Sequence, residues 1–303
     1  MKLATIVIPT YRRPDRITRA VNSALLQSYP DIEVIVVDDN GKDSEYASQT
    51  KKALQDFLDK DLIIYIQNDQ NRGGSFSRNQ GLNIAQGKYI TFLDDDDEIA
   101  STKIAKQIQR LESLDDSYSC VYTSYHKVMT DEKIYYSNEI IEGDVYKYAL
   151  SRSIYVGSGS NLLVKTSIAK SIGGYDIRFK RNQDLEFMTR LLKGYKLAYV
   201  DQDLMTIHYE IRETQRSYQE LVDIDNFYYT MFKDEIENLT MDEQRKICSV
   251  FALERFRYSI NKNIVDGTKN LLKNRVSLIM IIRYFFYIMD RLIHKKSYGF
   301  KMR

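Results

Sequence analysis

The apolar positions of this chain alternate between two periods, and that alternation outlines its elements. Leu3-Ala4-Thr5-Ile6-Val7-Ile8 is a continuous, β-branched run, the mark of a strand covered on both faces. Pro9-Thr10-Tyr11-Arg12-Arg13 ends it, and Pro14 suits the first turn of a helix reaching about Ser28, with Ile17, Val21, Ala24, Leu25 and Leu26 at helical spacing. Glu33-Val34-Ile35-Val36-Val37 predicts a second buried strand that runs into Asp38-Asp39-Asn40-Gly41. Ser44 to Leu58 reads as a helix and Leu62 to Ile66 as a strand. Asn68 to Gly74 is a polar, glycine-bearing loop, after which Ser75 suits the cap of a helix stopped at Gly87. Lys88 to Leu93 then runs as a buried strand into Asp94-Asp95-Asp96-Asp97-Glu98.

This order, β-α-β-α-β-α-β with polar loops, predicts parallel strands joined by right-handed crossovers. The loops carrying Thr10-Tyr11, Asp38-Asp39 and Asp94 to Asp97 then share one edge of the sheet, where open α/β folds place ligands. Five consecutive carboxylates cannot follow an apolar strand into the core, and a divalent cation relieves their repulsion. A solvated turn at a helix N-terminus is the plainer alternative. The edge lacks the glycine fingerprint of dinucleotide folds and has no Gly-Lys-Ser/Thr phosphate loop.

The second half is less regular. Ser101 to Leu114 predicts a helix, Ser119 to Tyr125 a strand, and 126–140 a hairpin. Ser160 to Val164 reads as a strand, Thr166 as the cap of a short helix ending at Gly173-Gly174, and Asn182 as the cap of a helix over Asp184 to Leu192. Short strands are expected at Leu197 to Val200 and Leu204 to Tyr209. From about Ser217 the pattern is helical, which places a domain boundary near 215: an α/β domain over 1–215, with halves meeting near 98, and a helical region over 216–303. Val276 to Ile293 is strongly apolar, but Arg283 and Asp290 interrupt it, each costing about 2.5–3.5 kcal/mol at a bilayer centre. A membrane span is therefore not expected. Arg283, Tyr287, Asp290, Arg291 and His294 share one helix face, a form that suits a membrane interface, packing on the α/β domain, or self-association into a homo-oligomer. The acid-free run from His294 onward suits anionic lipid.

Composition narrows the classes. A formal net charge of +2 at 28% charged residues excludes a nucleic-acid binder driven by bulk charge. Cys120 and Cys248 have neither metal-ligand spacing nor disulfide density, and both read as small buried residues in a reducing compartment. A strand starting at Leu3 leaves no room for a signal peptide, so a cytoplasmic location, at the inner face of the plasma membrane if the tail meets lipid, is expected.

Six motifs occur in one order: Ile6-Val7-Ile8-Pro9-Thr10-Tyr11; Val36-Val37-Asp38-Asp39; Asn71-Arg72-Gly73-Gly74 with Ser77-Arg78-Asn79-Gln80-Gly81; Leu93-Asp94-Asp95-Asp96-Asp97; Gly173-Gly174-Tyr175-Asp176; and Gln183-Asp184. Together they resemble the family 2 glycosyltransferases of the GT-A fold over about residues 3 to 209. The resemblance implies an α/β, Rossmann-like fold with a mainly parallel sheet and an inverting, metal-dependent transfer from a nucleotide sugar, most simply a UDP-sugar. The acceptor would be a glycan or lipid-linked glycan in bacterial capsule or other surface polysaccharide synthesis. It implies that Pro9, Thr10 and Tyr11 border the base, that Arg13 and Asp94 lie on the donor side, and that Asp39 accepts the uracil N3–H. Arg72 or Arg78 would approach the base or diphosphate, and Asp95 the ribose. Asp96 would hold Mn²⁺ or Mg²⁺, Asp97 a metal-bound water, and His208 would approach the metal or diphosphate. Asp184 stands where the family places its general base; Gln183 replaces the acid often found before it. Ser153 to Asn161 would form a loop beside the sugar, and Arg212 to Arg216 a mobile loop over the donor. A nucleotidyltransferase using a nucleoside triphosphate, and a degenerate membrane-associated interaction protein, are the rival readings.

Overall fold

The computed structural model describes residues 3–209 and 217–302. Strand β1 (Ala4–Thr10) leads through α1 (Ile17–Leu25) to β2 (Ile32–Asp38); α2 (Glu45–Ala53) and α3 (Gln55–Leu58) lead to β3 (Ile64–Gln67); α4 (Gly74–Ile84) leads to β4 (Tyr89–Phe92). The four strands are parallel, in the order β3-β2-β1-β4. Every residue of β1 is buried, as its uninterrupted apolar sequence requires of a strand with helices on both faces.

The chain continues with β5 (Glu98–Ile99), α5 (Lys103–Glu112), β6 (Tyr118–Met129), β7 (Ile134–Ser137), α6 (Tyr146–Leu150), β8 (Leu163–Lys165), α7 (Thr166–Ser171), α8 (Gln183–Leu191) and β9 (Lys196–Tyr209). Strand β8 joins the parallel part to the rest, antiparallel to β4 on one side and to β6 on the other. Strand β6 forms the expected hairpin with β7 and pairs in parallel with β9. The fold is thus α/β, with a parallel centre extended by antiparallel strands.

The structure revises several local expectations. The two short strands expected at 197–200 and 204–209 are one, β9, whose pairing with β6 shifts register near Ser124; the polar Asp201-Gln202-Asp203 between the two expected stretches is exposed but still strand. Ser75 caps nothing: α4 starts from Gly73, and the Ser75 hydroxyl is buried. Asn182 precedes α8 with φ 56° and makes no side-chain cap bond. Helix α4 ends before Gly87, which instead lies tight against Thr5, where a Cβ would fall 2.6 Å from the Thr5 nitrogen. Cys120 is buried as expected, but Cys248 is only half-buried.

The described chain divides into two compact units. One comprises residues up to Tyr146 with Val156–Tyr209; the other comprises Lys147–Tyr155 and the chain after Tyr209. In the second unit α9 (Tyr218–Met231), α10 (Lys233–Glu237), α11 (Met241–Ser259), α12 (Ile264–Lys273) and α13 (Leu278–Ile293) follow one another. Capping boxes at Ser217/Glu220 and Thr240/Glu243 start α9 and α11. Arg152 joins this unit through a buried ion pair with Asp225 at 2.7 Å and a stack on Phe251. The loop expected over Arg212 to Arg216, and the boundary near 215, lie outside the described residues.

Candidate active site

The acids reach the sheet edge because β4 must stop. Leu93 still bonds back to Val7, and the chain then turns at once, Asp97 N–H donating to the Asp94 carbonyl at 3.1 Å. The tight turn sends successive carboxylates in different directions. Asp95 points to β1: its Oδ2 accepts from the Thr10 hydroxyl at 2.7 Å and its Oδ1 from Arg13 at 2.9 Å. Asp96 meets the same Arg13 nitrogen at 2.5 Å. Asp97 turns inward, accepting from Ser158 and Ser160 hydroxyls at 2.9 and 2.7 Å. Burial, with repulsion from Asp94, raises the Asp96 carboxyl to about 6 even though Arg13 opposes the shift. Burial also raises Asp97 well above the carboxylate range, with Asp94 and Asp96 adding to it.

At the next strand end the two acids differ. Asp38 is fully buried and structural, accepting from the Tyr65 hydroxyl at 2.6 Å and the Asn40 N–H at 2.8 Å. Asp39 gathers the loop after β3: it accepts from the Asn68 amide at 2.7 Å and from the backbone N–H groups of Arg72 and Gly73 at 2.9 and 2.7 Å. Gly73 has φ 88°, a conformation that favours glycine and turns the loop into α4. Asn40 accepts from the Arg12 N–H at 2.6 Å and so ties the loop after β1 to the loop after β2.

Helix α4 carries the residues that connect the halves. Gly81 lies against Val7, where a Cβ would fall 2.3 Å from a Val7 methyl, so the helix packs close to β1. Two residues earlier Asn79 both donates to and accepts from the Tyr175 backbone, each at 2.7 Å, clamping the Gly173-Gly174-Tyr175 turn. Arg78 projects into the site between them. Its guanidinium binds Asp94 at 2.5 Å and Gln183 Oε1 at 3.0 Å. Asp184 follows at the first turn of α8, its Cβ 3.4 Å from where a Cβ on Gly159 would lie. Burial raises its pKa; the nearby Asp94 charge adds to the rise and Arg78 opposes it. Asp94 and Asp184, ninety residues apart, therefore stand close enough to feel one another, with Arg78 between them.

The remaining expected residues are placed as follows. Pro9 is buried inside β1, opposite Val37. Tyr11 is exposed, with its N–H toward Asp95. The Arg72 side chain is exposed and stacks on Phe76, 4.1 Å from the ring centre, while its N–H binds Asp39. His208 bonds Glu98 at 2.7 Å.

Among the described residues, Asp94, Asp96 and Asp97 bring oxygens within 4.8 Å of one another. These hard oxygen donors, with Asp97 buried and Asp94 and Asp96 half-buried, fit a hard divalent cation. Neither His208 nor Asp95 is in that group.

The spacing along the chain did not indicate the residues behind the acids. Ser158 and Ser160 hold Asp97, and Ser160 also accepts from the Asp94 N–H at 2.9 Å. Lys103 is fully buried, its ammonium donating to Gln107 at 3.0 Å and to the Ser160 and Asn161 carbonyls at 3.2 and 3.4 Å. Burial lowers this lysine to about 7. Arg19 donates to the Asp96 carbonyl at 2.7 Å. The residues of this group come from four segments, so only the polar Lys103 and Gln107 among the apolar positions of the α5 face could have signalled it.

Comparison with known proteins supplies the context. The family model "Glycosyl transferase family 2" matches residues 5–173. The Escherichia coli enzyme WfaP, a UDP-Glc:α-D-GlcNAc-diphosphoundecaprenol β-1,3-glucosyltransferase, is 37% identical over 126 residues, 42% of this chain and 47% of its own length. Staphylococcus aureus TarS (residues 1–349) in complex with UDP-GlcNAc superposes with a TM-score of 0.64 at 15% identity, over 97% of this chain and 88% of that one. The mannosyltransferase PcManGT from Pyrobaculum calidifontis, in complex with GDP-Man and Mn²⁺, gives 0.59 at 15% identity, over 96% and 81%. At these identities the two structures speak to the fold alone.

Proposed function

Since this chain belongs to glycosyl transferase family 2, and is thereby a glycosyltransferase, we propose that it carries out an inverting, metal-dependent transfer of a sugar from a UDP-sugar to a hydroxyl of a glycan or lipid-linked glycan in bacterial surface polysaccharide synthesis. The observation that carries this reading is Arg78 standing between Asp94 of the acid turn and Asp184 of α8. It gives the site two carboxylate regions with distinct roles, one for the diphosphate and one for the incoming nucleophile. The UDP-linked names of WfaP and of the TarS complex support the donor.

Asp94, Asp96 and Asp97 would hold Mg²⁺ or Mn²⁺. Such a cation, when bound, neutralises the charge that grows on the departing diphosphate. Arg13 and Arg78 lie on the donor side as permanent cations for the phosphates. Asp184 accepts the proton of the acceptor hydroxyl as its oxygen bonds to C1, and the C1–phosphate bond breaks with its electron pair going to UDP. A carboxylate with a pKa raised by burial is the stronger base for that proton. Asp39 orders the loop over residues 68–74 and keeps lone-pair capacity on Oδ2 for the uracil N3–H.

The test is a panel of nucleotide sugars assayed for UDP release with Mn²⁺. Asp184→Asn should reduce transfer by about 10³-fold or more while UDP binding persists. Asp96→Ala should remove metal-dependent UDP binding as well. Full activity in Asp184→Asn would refute the base. Pyrophosphate release from a nucleoside triphosphate would refute sugar transfer.

A further inference from the structure

Helix α13 is apolar on both sides, and only one side has a use inside the protein. Its inner side carries Tyr284, 5% exposed, which packs with Val250, Leu253, Leu271 and Phe300 and donates its hydroxyl to Glu254 at 2.5 Å. The outer side is a second apolar stripe. Ile282, Phe286, Met289 and Ile293 run down its middle, flanked by Ile279 and Phe285, and these side chains are 36–72% exposed. A helix surface in water is normally polar on the side away from its core, so an apolar stripe of this length marks a contact.

The charge around the stripe says what the contact is. Residues 262–303 hold ten lysines and arginines against two acids, Asp266 and Asp290, a net of +8. The whole chain carries +2, which leaves −6 for the 261 residues before this segment. The acid beside the stripe, Asp290, is already engaged by His294 at 2.8 Å, Tyr298 at 2.6 Å and Lys296 at 3.6 Å. The exposed cations Lys273, Arg275 and Lys295 lie just before and just after the helix. A second copy of the chain would bring +8 against +8, so the charge opposes a dimer through this face. A surface with negative headgroups and an apolar interior satisfies both properties at once. The 16 residues of α13 span about 24 Å, short of the roughly 30 Å hydrocarbon core, and among the described residues no helix is long and apolar enough to cross a membrane. A helix of this length docked on such a surface would lie along it rather than across it.

We propose that α13 docks this protein on an anionic lipid surface, with the Ile279–Ile293 stripe in the acyl boundary and the flanking lysines and arginines on the headgroups. The inference rests on the helical unit alone and is independent of which sugar is transferred. Co-sedimentation of the full chain with phosphatidylcholine/phosphatidylglycerol vesicles, against pure phosphatidylcholine, tests it. The expected result is binding to the anionic vesicles that weakens with added salt. Phe285→Ser with Phe286→Ser, both exposed and so harmless to the fold, should weaken binding at least about tenfold. Lys273→Gln with Lys295→Gln should weaken it by a similar factor, on anionic vesicles only. Thermal midpoints without lipid should match that of the parent chain. Sedimentation unaffected by both pairs of substitutions would overturn the proposal. So would a concentration-dependent dimer that the phenylalanine pair disperses in the absence of lipid.

Discussion

Arg78 sits between two carboxylates that would otherwise face each other, and its loss has a directional consequence. Removing its charge in Arg78→Met leaves Asp94 to raise the Asp184 pKa unopposed. The acidic limb of the kcat/KM profile should move to higher pH, with transfer at neutral pH reduced about a hundredfold. An unmoved limb would separate Arg78 from the base. Lys103 permits a second test at this scale, on stability. Its folded pKa, near 7, lies below the ordinary lysine value of 10.5, so between those pH values the unfolded chain binds more protons. The cost of burying the charge is fully present below pH 7 and fades as pH rises, so resistance to urea should increase from pH 7 to 10. Lys103→Met should lose that slope. It should also cost about 1–3 kcal/mol, by leaving the Ser160 carbonyl and Gln107 Oε1 short of a donor.

At the scale of elements, α4 is the part on which the site depends. Its approach to β1 is set by Gly81, so Gly81→Ala should destabilise the fold by about 1–3 kcal/mol in denaturant titrations. Adding Val7→Ala should return much of the loss, a coupling that independent sites would not show. Helix α4 also shows why sequence reading went so far and no further. The parallel strands were legible because a doubly covered strand must be apolar throughout, and the acid turn because like charges cannot follow it inside. The contacts of Ser158 and Ser160 with Asp97 span more than sixty residues and use side chains equally at home in any loop. The break expected in β9 failed for a related reason: an edge segment exposed to water can be polar without ceasing to be a strand. Ser75 had the composition of a cap, but Gly73, with its positive φ, already starts the helix.

For the molecule as a whole, the proposed reading of the three-carboxylate cluster can be tested by removing the ion it would hold. Chelation with EDTA should abolish the thermal stabilisation given by UDP, and Mn²⁺ or Mg²⁺ should restore it. The Arg13 contact adds a consequence for the order in which the site is filled. Arg13 holds Asp95 and Asp96 together, so a cation taking the Asp96 oxygen competes with a guanidinium already there. Its apparent affinity is lowered by the fraction of molecules in which that pair is closed. A diphosphate offers the displaced guanidinium a new anion, which makes the two ligands helpers of one another, each strengthening the other by the same factor. On the proposed reading the ion would then enter most readily in company with the nucleotide, and until then Arg13 stays paired with Asp96.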